Sequence, residues 1–223
     1  IANAKSVEDM FDRLEASGYF VRIDKDVRPE MFHGATISQA ELAALRQIKN
    51  VVRLGHVTKI EPQLITLKKG TVPTTPSTVH IDCSASALKA DLKPSLIFDG
   101  DAITPQMVRS YQPIFSASLI AHIETTFPDD NAAKNNMCGV VPLPNADIDY
   151  IKMTAANMMN QYKWSQHPEI RDWLLGNRLD GFSKMVSEVS AEDTEKRAIL
   201  KRLRNNAMPA AMKLQHFIAQ AES

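Results

Sequence analysis

The chain has 223 residues, 44% of them hydrophobic, enough to bury a sizeable core in one large or two small domains. Its 26 basic and 26 acidic residues cancel, which argues against a whole-surface attraction to nucleic acid. No apolar run approaches the roughly 18 residues that span a bilayer and no leader opens the chain, so it reads as soluble and cytoplasmic, with no membrane partner.

Ser6 opens the first predicted helix with an acidic first turn, Val7, Met10, Phe11 and Leu14 share one face, and Gly18 stops it. Residues 19–23 then read as a short strand. Ser38-Gln39-Ala40-Glu41 is a capping box, followed by Leu42, Leu45 and Ile48 on one stripe.

Next comes an expected ladder of three β runs. Val52, Leu54, Val57 and Ile60 belong to the first, and Leu64, Ile65 and Leu67 to the second, with turn chemistry in Lys68-Lys69-Gly70. Pro73 and Pro76 interrupt pairing, and residues 79–83 are expected to form the third run, a strand buried on both faces.

Residues 94–98 suit one more short strand, ending at Asp99-Gly100-Asp101. Thr104-Pro105 and Pro113 both fit helix starts, because proline is tolerated in a first turn. Ile114, Phe115, Leu119, Ile120 and Ile123 make a strong apolar face, and residues 128–145, with Pro128, Gly139, Pro142 and Pro144, read as a long connection. A helix from Ile148 carries Ile151, Ala155, Met158, Met159 and Tyr162, and Pro168 starts another carrying Ile170, Trp173 and Leu174. Residues 191–204 and 209–221 read as a terminal helical pair, the former with Glu192, Asp193 and Glu195 near its start and Arg202 and Arg204 near its end, complementing the helix dipole.

Several chemistries find no motif. The eight glycines form no G-x-G-x-x-G or G-x-x-x-x-G-K-[ST] loop, Cys83 and Cys138 have no C-x-x-C spacing, and no G-x-S-x-G elbow occurs. The histidines are scattered without metal-ligand spacing, so no metal site is expected. The first residue is Ile1, which together with the missing phosphate loops suggests a piece of a longer protein.

Four blocks carry a resemblance: Leu45-Arg46-Gln47-Ile48-Lys49-Asn50-Val51-Val52-Arg53-Leu54-Gly55-His56-Val57, the segment 79–88, Ile103-Thr104-Pro105-Gln106-Met107-Val108-Arg109 with Gln112-Pro113-Ile114-Phe115, and Asp129-Asp130 to Cys138 with Lys134-Asn135. Spread over roughly residues 6–175, they resemble the C-terminal half of bacterial FAD- and NAD(P)-dependent oxidoreductases related to flavin-containing monooxygenases. The resemblance implies hydride transfer from NAD(P)H to FAD and Gly-rich binding loops in a missing N-terminal half. It also implies that this portion closes the flavin pocket over a small-molecule substrate and is inactive alone. In that family the buried strand runs into an Ala-Thr-Gly turn near the flavin; here the corresponding loop is Asp82-Cys83-Ser84-Ala85-Ser86-Ala87. The resemblance therefore points to Cys83, Ser84 and Ala85 as cofactor-binding residues. Gln106, Met107 and Val108 join them, because the mouth of a helix offers unpaired N–H groups.

The fold class expected is α+β: a small, mostly antiparallel sheet with flanking helices ending a nucleotide-binding domain (residues 1–103), then a helical C-terminal region (residues 104–223). Against the flavin reading stands a non-enzymatic one, in which residues 104–223 form a helical platform for an oligomer or partner. Cys83 is then a small apolar filler, Arg109 a surface charge, and Met153, Met158 and Met159 core packing. The basic run Lys196-Arg197, Lys201-Arg202 and Arg204, interleaved with Ile199, Leu200 and Leu203, reads as an amphipathic helix suited to a solvated face or a subunit contact rather than to nucleic acid.

Overall fold

The computed structural model describes residues 1–84 and 94–222. In chain order the elements are α1 (Val7–Ala16), α2 (Gln39–Leu45), β1 (Val57–Ile60), β2 (Leu64–Leu67), β3 (Gly70–Pro73), β4 (Phe98–Asp99), β5 (Ala102–Ile103), α3 (Pro113–Thr126), α4 (Asn131–Met137), α5 (Asp147–Gln166), α6 (Pro168–Gly176), α7 (Gly181–Ser187) and α8 (Thr194–Glu222). The chain is α+β, with two small antiparallel sheets and a helical C-terminal region. It divides into two compact units, one made of Ile1–Thr36 with Lys93–Ser223 and the other of Ile37–Leu92. Among the described residues no helix is long and apolar enough to cross a membrane.

In the smaller unit the Ser38 hydroxyl accepts from the Glu41 N–H while the Glu41 carboxylate accepts from the Ser38 N–H, so α2 starts on a complete capping box. The sheet is a β1-β2-β3 meander, and here the third run differs from expectation. Lys68 and Lys69 form a two-residue turn that returns the chain at once, and Ile65 pairs with Val72 and Leu67 with Gly70. The immediate neighbour wins because closing a two-residue loop costs less entropy than closing a long one. Residues 79–83 form no strand; Val79 and Ile81 are 82% and 81% exposed. The first two expected runs do pair, as β1 and β2, but the buried third strand is replaced by β3, and the strands of the meander are mostly exposed.

In the larger unit Ser6 caps α1 through the Asp9 N–H, and Asp9 in turn pairs with Arg13 at 2.9 Å. Residues 19–23 are not a strand: the Tyr19 and Phe20 N–H groups both bond the Leu14 carbonyl, and the Phe20 ring enters an aromatic cluster with Phe11, Phe32 and Tyr150. Phe98 and Asp99 pair back onto Ala102 and Ile103, so the strand expected at residues 94–98 is a hairpin arm displaced toward the Gly100 turn. The Asn135 side chain of α4 bonds the Ile97 and Phe98 N–H groups and the Phe98 carbonyl, giving that short arm its missing edge partners. The connection expected at 128–145 thus contains a helix, capped by Asp130 at the Ala133 N–H. No helix starts at Thr104; that N–H donates to the Ile97 carbonyl, and α3 begins at Pro113.

Two cores meet along α5. Its C-terminal end puts Trp164 with Ile97, Phe98, Val108, Phe115, Leu119, Ile123 and Ile170, while its N-terminal end puts Tyr150, Ile151 and Met153 with Met10, Phe11, Leu214 and Phe217. A helix that buries both ends against different neighbours has no single apolar stripe. The expected terminal pair is one continuous helix, α8, with Pro209 inside it.

Candidate functional site

The sequence-selected residues fall into both units. Gln106, Met107 and Val108 form a crossing segment of the larger unit that is tied to it by several hydrogen bonds. The Gln106 amide donates to the Ser95 carbonyl (2.8 Å), and the Met107 carbonyl accepts from the Val141 N–H (2.7 Å). Val108, fully buried, donates its N–H to the Ser116 hydroxyl, and its carbonyl accepts from the Asn160 amide at 2.8 Å. None of the three sits at a helix N-terminus, and of their three N–H groups that of Val108 is taken by the Ser116 hydroxyl. Cys83 and Ser84 belong to the smaller unit. Cys83 is exposed rather than a filler on a strand, and Ser84 closes a local turn by donating its N–H and hydroxyl to Asp82, which lowers the Asp82 carboxyl pKa. Ala85 lies outside the described residues.

Arg109, next along the crossing segment, is buried. Its guanidinium lies 3.3 Å from the Asp180 carboxylate and 4.2 Å over the centroid of the Phe115 ring. Asp180 also caps α7, accepting from the Ser183 hydroxyl and N–H. Asn160 bridges two loops by donating to the Val108 and Gly139 carbonyls, and Lys134, 3% exposed, pairs with Glu124 at 2.7 Å. Charges buried this way are paired and hydrogen-bonded, so they organise the interior. Among the described residues, no group of three or more His, Cys, Asp and Glu side chains is placed to hold a metal ion.

The unfinished part of the molecule is the first half of α8. Leu200, Leu203, Ala207, Ala210, Leu214 and Phe217 recur at alternating spacings of three and four, the pattern of a helix-pairing seam. Ala210, Leu214 and Phe217 are buried on that seam, and α5 packs along α8 with Lys152 and Glu222 paired at 2.8 Å at the far end. Toward the N-terminal end of α8 the same seam is bare: Leu203 is 53% exposed and Ala207 is exposed. Ile199 lies beside it, and Ile199, Met208 and Met212 are exposed, as are Phe182 and Met185 of α7. Between α7 and this half of α8 lies a concavity of about 470 Å³ with Val186, Val189 and Leu200 on its wall and Arg197, Lys201 and Arg204 at its edge.

The basic run at residues 196–204 is legible in the sequence, but the expected helix ends at 204 and a second begins at Pro209. Reading the three-four spacing straight through the proline would have joined the bare and buried halves into one seam.

No protein family and no solved structure matches the chain. It is 42% identical over 191 residues to an uncharacterized protein of Mycobacterium bovis and to uncharacterized proteins of two strains of Mycobacterium tuberculosis. The match covers 85% of this chain and 35% of each relative, so the chain spans about a third of the length of the curated relatives it matches.

Proposed function

We propose that the chain is a helical interaction module, acting in the cytoplasm, whose docking element is the bare half of α8 together with α7. The observation that carries this reading is the continuity of one apolar seam, buried at Ala210, Leu214 and Phe217 and uncovered at Leu203 and Ala207. Fully burying a Leu or Ile side chain contributes roughly 1.5–3 kcal/mol, so covering the exposed halves of Ile199 and Leu203 supplies about half of that from each toward association. The free thiols of Cys83 and Cys138 fit a reducing compartment.

The test is selection of a displayed library of helical peptides on the purified chain, followed by hydrogen exchange. The reading expects binders that protect residues 199–208 and that Leu203→Glu abolishes. Enrichment on a different surface, or none, rejects it.

The flavoprotein reading is the alternative. It is favoured by the resemblance and by the 65% of each relative's length outside the match, 100 less the 35% covered, which leaves room for dinucleotide-binding loops. In that case the purified full-length relative carries a flavin absorbance band. A colourless product, with no Gly-rich loop outside the matched region, removes this alternative.

A further inference from the structure

We infer that the concavity between α7 and α8 accommodates an acidic amphipathic helix from a protein partner; this rests on the docking-module reading and adds the partner's chemistry. Arg197, Lys201 and Arg204 are spaced four and three residues apart on α8, so they share one face beside the bare seam. None of the three has an ion-pair partner among the described residues. The nearby acids are engaged elsewhere: Asp193 with Lys196 at 2.8 Å, Glu188 with Lys184 at 3.8 Å, and Glu192 with the Ser190 hydroxyl. Glu195, two residues before Arg197, projects from the opposite side of the helix by its spacing. Apolar wall and cationic edge together match a helix that presents leucine-like side chains inward and carboxylates along its flank.

Other occupants fit less well. A second copy brings a like-charged face against this one, which opposes association. Nucleic acid is held by phosphate contacts and by bases stacking on aromatic rings, and the lining of this concavity contains no aromatic residue. A bilayer meets an amphipathic helix along an open face, whereas these cations rim a concave site.

The experiment uses two synthetic three-heptad helices with leucine seams, one flanked by glutamates and one by lysines, titrated against the whole chain by fluorescence anisotropy. The glutamate helix is expected to bind at least about tenfold tighter, with the difference shrinking as salt screens the pairs. The triple variant R197Q/K201Q/R204Q loses the preference and R197E/K201E/R204E reverses it, with circular dichroism verifying an unchanged helix content. Leu203-dependent binding of both helices with equal affinity overturns the acidic-partner inference and leaves the docking module standing. If neither helix binds, both fall. Tighter binding to duplex DNA or to phosphatidylserine vesicles than to the glutamate helix also overturns the inference.

Discussion

Arg109 and Asp180 meet 3.3 Å apart inside the larger unit, the carboxylate 1% exposed and the guanidinium spread over Phe115. Because neither charge has water to fall back on, removing one strands the other. Asp180→Ala is expected to cost about 3–5 kcal/mol in urea unfolding. Converting both partners to apolar residues, as in Arg109→Met with Asp180→Leu, should recover part of the loss. Equal destabilisation by the single and double changes would contradict the pairing.

Asn160 acts as an internal clasp. Truncation to Ala leaves the Val108 and Gly139 carbonyls without this donor, at about 1–3 kcal/mol for each acceptor left buried and unsatisfied. Gly139→Ala attacks the clasp from the other side, since an added Cβ would come within 2.5 Å of the Asn160 Oδ1. Thermal melts of the two variants should both shift downward, with the double variant less than additive.

Burial pushes the Cys138 thiol up to about 12, whereas Cys83 is exposed. Native protein should therefore react with one equivalent of a thiol reagent near neutral pH and unfolded protein with two. The linkage has a definite sign. A thiol whose folded pKa is raised contributes stability that is fully present below its ordinary value near 9.0 and declines as pH rises toward about 12. Tyr150, raised by burial and by its bond with Tyr19, acts in the same direction. Cys138→Ala should flatten the alkaline fall; an unchanged profile would assign it to other groups.

Pro209 interrupts the hydrogen-bond ladder of α8 where the seam passes from bare to buried. Proline inside a helix costs roughly 3 kcal/mol against alanine. Pro209→Ala is expected to raise helicity and to slow hydrogen exchange across residues 196–208 by about tenfold or more. A loss of stability would mean that the proline ring packs in a way its exposure does not suggest.

In the smaller unit, Ser38→Ala removes one arm of the α2 capping box and should destabilise that helix by about 1 kcal/mol, read by exchange of the amides in residues 39–45.

Local chemistry made several helix ends readable in advance. The caps at Ser6 and Ser38, the stop at Gly18, and the prolines at the starts of α3 and α6 act within one turn, so neighbouring residues suffice to place them. The mixed α+β class follows from the same periodicities. The third strand of the sheet was set locally, by the two-residue return of Lys68 and Lys69, whatever the apolar content of residues 79–83. Two other matters depended on residues far apart in the chain. Whether Arg109 faces water was decided by Asp180, the cap of α7, arriving from far along the chain. Which part of the seam of α8 is covered was decided by where α5 packs against it, at Leu214 and Phe217. Periodicity encodes which face of an element is apolar; what lies against that face is set by packing and by charge compensation between distant segments, which no local window contains.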